Sequence, residues 1–307
     1  MAGLIKDGDL NELRSLLGPD RVLENEPMAK HTSFKLGGPA DAIVLPRGLE
    51  ELRQVLSLAS RAQIPVFVLG KGTNLIVRDK GIRGLVIKVA GGFNDLRFDG
   101  PSVWAGAGLS LAELATACAK RSWSGLEFAQ GIPGTVGGAV VMNAGAYEGE
   151  MSQVVTAVQF VRYDGTVQTY GRQDMQFGYR ASALQDQAVV IMRVEFRLKE
   201  GDRKAIEALM AGLAERRRQR QPLDVPSAGS VFRRPPGHFA GTLIQDAKMQ
   251  GARVGGAVVS LKHAGFIVND GGATASDVLA LITLVREKVK ERFGVELRAE
   301  VKVVGEE

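Results

Sequence analysis

Apolar residues recur along this chain at helical and extended spacings in turn. Leu10, Leu13, Leu16 and Leu17 repeat at helical spacing within Met1–Leu17, and Gly18-Pro19 stops that helix. Asp41–Leu45 has strand character, and a second helix over Leu49–Ala59 turns Leu52, Val55, Leu56 and Ala59 to one side. Pro65–Leu69 is a short, wholly apolar strand that runs straight into Gly70-Lys-Gly-Thr-Asn74, and Leu85–Val89 is another strand after Gly84. This β-α-β opening is an α/β pattern with a glycine loop at the C-terminal end of a strand, where ligands usually sit. Ser110-Leu-Ala-Glu113 has capping-box spacing and opens a helix to about Lys120. Val154–Tyr163 and Thr166–Tyr170 flank Asp164-Gly165 as a hairpin does, and Val189–Leu198 is a further strand.

The pattern changes at Glu200-Gly-Asp202, which places the main domain boundary near residue 200. A helix follows with Ile206, Leu209, Met210 and Leu213 inward, ending in Arg216-Arg-Arg-Gln-Arg220. That basic run reads first as a solvated helix end whose charge complements the dipole. A second reading has it guide a diphosphate substrate; a nucleic-acid surface comes third, because no aromatics interleave the arginines. The last third holds Ser227-Ala-Gly-Ser-Val-Phe232, a Pro235-Pro236-Gly237 turn and a short helix near Thr242–Ala247. His263–Val268 is a strand entering the Asp270-Gly-Gly272 turn. A long helix then buries Val278, Leu281, Ile282, Val285 and Val289 and ends at Gly294. The final strand alternates, with Leu297, Ala299, Val301 and Val303 on one face and Arg298, Glu300 and Lys302 on the other. On spacing alone Glu300 is a solvent-facing charge.

Phe128–Tyr147 breaks this regularity. It gathers Gly131, Gly134, Gly137, Gly138 and Gly145 around Pro133 and carries no charged side chain. Such a stretch is either a tight buried turn or a loop that offers peptide N–H groups to phosphate oxygens. The second glycine loop at Gly70–Asn74 favours the ligand loop. Neither usual nucleotide motif fits. A P-loop needs Ser or Thr after Gly-Lys, but Gly72 follows Lys71; Gly106-Ala-Gly108 begins a dinucleotide fingerprint, yet Leu111 takes the third glycine position.

Composition narrows the choice. A length of 307 residues suggests two or three domains. A hydrophobic share of 45% supplies a real core, and a net charge of +5 mildly favours an anionic ligand. That charge, with 6% aromatics, is far from a nucleic-acid-binding balance. Cys118 is the only cysteine, so no intramolecular disulfide can form, in keeping with a reducing compartment. Among Leu114, Ala115 and Ala119 it reads as a core residue. Asp7, Asp9 and Glu12 interrupt any signal peptide and no stretch approaches a membrane span, so a cytoplasmic protein without membrane insertion is expected. His31, His238 and His263 are scattered, and no metal site is expected.

Leu69-Gly-Lys-Gly-Thr-Asn-Leu75, Gly131-Ile-Pro-Gly-Thr-Val-Gly-Gly138 and Asn143-Ala-Gly-Ala-Tyr147 together resemble the flavin domain of the vanillyl-alcohol-oxidase type, which binds FAD without a Rossmann fingerprint. Phe177-Gly-Tyr-Arg180, Ala228-Gly-Ser-Val-Phe232 and Glu300-Val301 narrow the resemblance to the UDP-N-acetylenolpyruvoylglucosamine reductase family, over roughly Thr32 to Val304. Phe232–Gly241 and the short Arg180–Val189 segment are similar to its second type, which lacks a tyrosine-bearing insertion. The resemblance implies an α+β fold: a two-part FAD-binding domain over residues 1–199, divided at about residue 90, and a C-terminal α/β substrate domain over 200–307. It implies FAD as cofactor, with Gly70, Lys71, Gly72, Thr73, Asn74, Leu75, Gly131, Ile132, Pro133, Gly134, Thr135, Gly137, Gly138, Asn143, Ala144 and Gly145 binding it. NADPH is the implied reductant and the enolpyruvyl ether of UDP-N-acetylglucosamine the implied substrate; hydride from the flavin reaches the vinyl carbon and UDP-N-acetylmuramate results.

By the same resemblance Arg180 holds the substrate carboxylate, Ser230 donates the proton and Glu300 assists. Their plain rivals are a structural ion pair, a turn serine and the solvent-facing charge. Two departures concern the diphosphate: Arg233-Arg234 stand where many members have Lys-Asn, and Arg298 replaces a carboxylate. Arg233, Arg234 and Arg216–Arg220 remain candidates for holding it. The alternatives are another FAD oxidoreductase of the same superfamily, acting on an alcohol or hydroxy acid, and a colourless nucleic-acid-binding protein.

Overall fold

The computed structural model describes residues 5–307, so the first four residues of the Met1–Leu17 stretch lie outside the described part. The chain packs as two compact units. The first takes residues up to Glu24, 42–71 and 84–217; the second takes 25–41, 72–83 and 218–307.

In the first unit, α1 (Asp7–Leu17) buries Leu10, Leu13 and Leu17 and stops where Gly18 takes a φ of 89° before Pro19. Helix α2 (Leu49–Arg61) buries Leu52, Val55, Leu56, Leu58 and Ala59. The two helices share one core with Leu85, Ile87 and Val89. That core lies on most of a four-stranded sheet ordered Val22–Pro27, Pro39–Val44, Ile82–Lys88 and Val66–Leu69. A second, antiparallel sheet orders Val167–Gly171, Val155–Arg162, Val189–Arg197, Ser102–Gly106 and Leu96–Asp99. Its outer hairpin turns at Asp164-Gly165, with Gly165 at a φ of 86°. The residues of α3 (Leu111–Ala119), α4 (Val136–Val141) and α5 (Arg203–Arg220) pack a core that includes Cys118, Phe160 and Phe196.

Helix α5 departs from its expected face. Ile206, Met210, Leu213 and Arg217 are buried, while Leu209 is 53% exposed. The helical repeat continues through position 217, so an arginine takes the place of the next apolar residue. Ile206 and Met210 belong to the first unit's core, which is why that unit runs on to Arg217 whereas composition changes near residue 200.

In the second unit, Ser227–Ser230, Phe266–Asn269, Ala257–Val259 and Arg253–Val254 form an antiparallel sheet beside α6 (Ala240–Asp246) and α7 (Ala275–Phe293). Thr274 caps α7 by accepting from Asp277 N at 3.0 Å, and Gly294 ends it at a φ of 68°. The expected long final strand is only Lys302–Val304, parallel to Leu75–Val77. Its partner is just as short, so the residues before it pair once, Ala299 with Phe232, with Ala299 exposed between buried Leu297 and Val301. Among the described residues no helix is long and apolar enough to cross a membrane.

Candidate active site

Strand Val66–Leu69 ends in Gly70, where a Cβ would lie 2.6 Å from Thr135 Oγ1. The first glycine loop therefore meets the second with no room for a side chain. Thr135 in turn caps α4, its Oγ1 accepting from Gly138 N at 3.3 Å. Gly131 and Gly134 take φ of 78° and 140°, conformations that other residues adopt only under strain. Behind them, Gly137 N donates to Ala107 O, Val136 N to Leu109 O and Leu111 N to Gly134 O. A Cβ on Gly137 would come within 2.9 Å of the Ala107 Cβ. The failed fingerprint Gly106-Ala-Gly108 is thus the back wall of the glycine loop. Glu113, in the first turn of α3, is held below the usual carboxylate range by the Ser110 hydroxyl and amide, with Lys71 adding to the effect against a burial penalty.

Arg217 closes the other side of this loop. Only 5% exposed, it donates from Nη1 to the Gly131 carbonyl and lies 5.8 Å from the Tyr147 ring centre. Its Nε is buried without a hydrogen-bond partner, and burial lowers its pKa against the opposing pull of Tyr147. The basic run Arg216–Arg220 places this arginine at a solvated helix end; its position on the Ile206–Met210–Leu213 repeat is the signal that distinguishes it from its neighbours.

Arg180 sits at the tip of a tight turn in which Gly178 and Ala181 exchange two main-chain hydrogen bonds. Its φ is +55°, its guanidinium stands 5.1 Å from the Tyr179 ring centre, and Nη2 donates to the Gly145 carbonyl at 3.2 Å. The turn is held from below by Asn143, whose Nδ2 donates to Gly178 O at 2.9 Å.

Ile132, Pro133 and Ala144 belong to the first unit, and Gly72, Thr73, Asn74, Leu75, Ser230 and Glu300 to the second. Gly72, at a φ of 62°, is packed so closely that a Cβ would lie 2.3 Å from His31 O. Asn74 Nδ2 donates to the Glu300 carbonyl at 3.3 Å, and Lys302 N donates to Asn74 O. Glu300 N donates to Val231 O at 2.7 Å, and Arg233 N to Arg298 O, which sets Glu300 beside the end of the Ser230 strand. Ser230 follows Gly229 at a φ of 77° and a strand irregularity, and its Oγ donates to Phe232 O at 3.3 Å. Structure thus brings Gly70 to Thr135 and Asn143 and Gly145 to Arg180 in one unit, and Asn74, Ser230 and Glu300 together in the other.

The chain is 48% identical to a UDP-N-acetylenolpyruvoylglucosamine reductase of Syntrophomonas wolfei, across 97% of this chain and 99% of that protein. It belongs to the UDP-N-acetylenolpyruvoylglucosamine reductase family. A second relative with the same description, from Alkaliphilus oremlandii, is 49% identical over 96% of this chain and 97% of its own length. Residues 221–304 match the C-terminal domain of these reductases, and residues 40–171 match the FAD binding domain family. Among solved structures, the reductase from Thermus caldophilus superposes with a TM-score of 0.79 at 38% identity, over 92% of this chain and 97% of that one. An alkyldihydroxyacetonephosphate synthase aligns over 64% of this chain and 41% of its own at a TM-score of 0.51 and 15% identity, a likeness of fold alone. The expected α+β architecture, an FAD-binding domain followed by the reductase's own C-terminal domain, is what the chain has.

The first unit's loops suit FAD. Their walls are main chain and small side chains, close-packed where a Cβ would collide, and Phe128–Tyr147 brings no competing charge. Peptide dipoles of this kind stabilise phosphate oxygens. Gln130 Oε1, at the entrance to the loop, is buried without a hydrogen-bond partner, as a group waiting for a ligand's donor is.

Proposed function

We propose that this protein reduces the enolpyruvyl ether of UDP-N-acetylglucosamine to UDP-N-acetylmuramate with NADPH, in the cytoplasm, and that Arg180, Ser230 and Glu300 carry its second stage. FAD, when bound, would supply the hydride-carrying chemistry between NADPH and the vinyl carbon of the substrate. Gly70, Lys71, Gly131, Ile132, Pro133, Gly134, Thr135, Gly137 and Gly138 hold that cofactor through main-chain groups, joined by Gly72, Thr73, Asn74 and Leu75.

Addition of hydride to the vinyl CH₂ leaves electron density on the neighbouring carbon and its carboxylate, an enolate-like species. Arg180 meets the carboxylate with its planar fork and stabilises the charge as it develops. Ser230 supplies the proton to the carbon. A serine hydroxyl is a weak acid, yet a carbanion-like carbon is a strong base, so transfer proceeds when geometry is fixed. Glu300 polarises the intermediate or helps Ser230 supply the proton.

The observation that supports this reading most is the pairing of residues 298–300 with 231–233: the Glu300 N–H bound to the Val231 carbonyl at 2.7 Å sets the carboxylate-bearing residue next to the serine strand. Ser230 and Glu300 are otherwise far apart in sequence, and a turn serine and an unrelated surface glutamate have no reason to meet. The test is steady-state turnover. NADPH consumption should depend on the UDP-enolpyruvyl sugar, and mass spectrometry should show a product two hydrogens heavier. NADPH consumed with oxygen alone, leaving the sugar unchanged, would discard the substrate; a flavin that NADPH does not reduce would favour an alcohol or hydroxy-acid oxidase of the same superfamily.

A further inference from the structure

Resemblance groups Asn143 with the cofactor residues, but its side chain is already spoken for. It is 1% exposed, and both ends of its amide are engaged within the protein. Nδ2 donates to Gly178 O at 2.9 Å, and Oδ1 accepts from Ser152 N at 2.9 Å. Two neighbours complete a row of clips. Val141 O accepts from Ser182 Oγ at 2.9 Å, and Gly145 O accepts from Arg180 Nη2 at 3.2 Å. Alternate residues 141, 143 and 145 thereby hold 182, 178 and 180, the whole turn on which Arg180 rides. Asn143 also has a φ of +41°, a conformation asparagine tolerates better than most residues.

From this geometry we infer that Asn143 is a positioning residue for Arg180: its amide fixes the Gly178–Ala181 turn and so the place of the guanidinium. This rests on the role proposed above for Arg180. A guanidinium that must meet a carboxylate with two parallel N–H groups is sensitive to small rotations of its backbone, and the Asn143 amide holds the first residue of the turn against them. The glycine loop that begins at Gly131 then serves two ends, a cofactor cradle at its start and the support of a substrate residue at its finish.

The test uses full-length holoprotein. Asn143→Gly deletes the amide without straining a positive φ. Asn143→Asp keeps the acceptor for Ser152 N–H and loses the donor to Gly178. Both should lower kcat/KM for the UDP-enolpyruvyl sugar about tenfold or more, the scale of a buried hydrogen bond left unmade. FAD affinity, read by quenching of flavin fluorescence, should stay within about threefold of the wild type, as should the rate of flavin reduction by NADPH. In an Arg180→Ala background, Asn143→Gly should add little, because the residue it positions is gone.

Loss of FAD affinity as large as the loss of turnover would make Asn143 a flavin ligand and overturn the inference. Losses that multiply in the double variant would also overturn it while leaving Arg180's role intact. If Arg180→Ala alone has wild-type kcat/KM, the proposed role of Arg180 fails first and the inference with it. Should Asn143→Gly not fold, Ser182→Ala removes the adjacent clip and must show the same pattern, reduced turnover with FAD retained; wild-type turnover there would contradict the inference.

Discussion

Replacing Ser230 by alanine separates chemistry from structure cleanly. The hydroxyl makes one long hydrogen bond, 3.3 Å to Phe232 O. Its main chain is held independently: Ser230 pairs with Phe266, and Val231 N donates to Gly265 O at 2.9 Å. Removing Oγ therefore costs at most about 1 kcal/mol of stability, which for a chain of this size lowers Tm by only about 2–4 °C. Loss of a positioned acid, by contrast, slows a reaction by about 10² to 10⁴, equal to about 3–5 kcal/mol in the barrier. The two effects differ enough to be told apart. In anaerobic stopped flow, NADPH should bleach the variant's flavin at nearly the wild-type rate, since that stage needs no proton at the substrate carbon. Recovery of colour on adding the UDP-enolpyruvyl sugar should be slower by about a hundredfold or more. Recovery at the wild-type rate would remove Ser230 from the mechanism. Equal slowing of both stages would mean that the substitution distorts the protein and that the serine is no proton donor.

Other expectations follow from the same geometry. Gly70→Ala forces a Cβ to within 2.6 Å of Thr135 Oγ1, the cap of α4, and should reduce the flavin-to-protein absorbance ratio of the purified protein; an unchanged ratio would mean that the two loops do not form the cradle together. Cys118 is 1% exposed and burial pushes its thiol up to about 12, so thiol reagents should label the folded protein no faster than it unfolds. Burial of His263 lowers its pKa below the ordinary 6.5, against a smaller opposing main-chain hydrogen bond. The unfolded chain then takes up a proton before the folded one as pH falls, so this contribution to stability is complete above pH about 6.5 and is lost below it. Denaturant melts at pH about 7 and about 5.5 should show a larger drop for wild type than for His263→Asn, whose side chain can still accept from Gly265 N; equal drops would exclude His263 as the source.

Much of the fold was legible because its signals are local. The capping box at Ser110, the stop at Gly294 and the hairpin at Asp164-Gly165 are each written within a few residues, and each occurs where the pattern puts it. What was not legible depends on distant partners. Leu209 and Arg217 exchange their expected environments because the first unit's core, and not the helix itself, decides which side is buried. The last strand shortens to Lys302–Val304 because its neighbour Leu75–Val77 has only that length to offer. Gly106-Ala-Gly108 looks like half of a nucleotide motif, yet its two glycines pack against the Phe93 and Val89 carbonyls, while Ala107 between them accepts from Gly137 N. In the site, only the resemblance to the reductase family grouped Arg180, Ser230 and Glu300; spacing alone makes Glu300 a solvent-facing charge. Spacing could not show that residues 298–300 pair beside Ser230, or that Asn143 spends its amide on the Arg180 turn.

A visible absorption spectrum of the purified protein under anaerobic conditions tests the flavoenzyme assignment and its substrate together. A flavin spectrum should be present, or restored by added FAD; it should bleach with NADPH and recover when the UDP-enolpyruvyl sugar is added. Bleaching without recovery would contradict the substrate, and a colourless protein that takes up no FAD would contradict the flavin chemistry altogether.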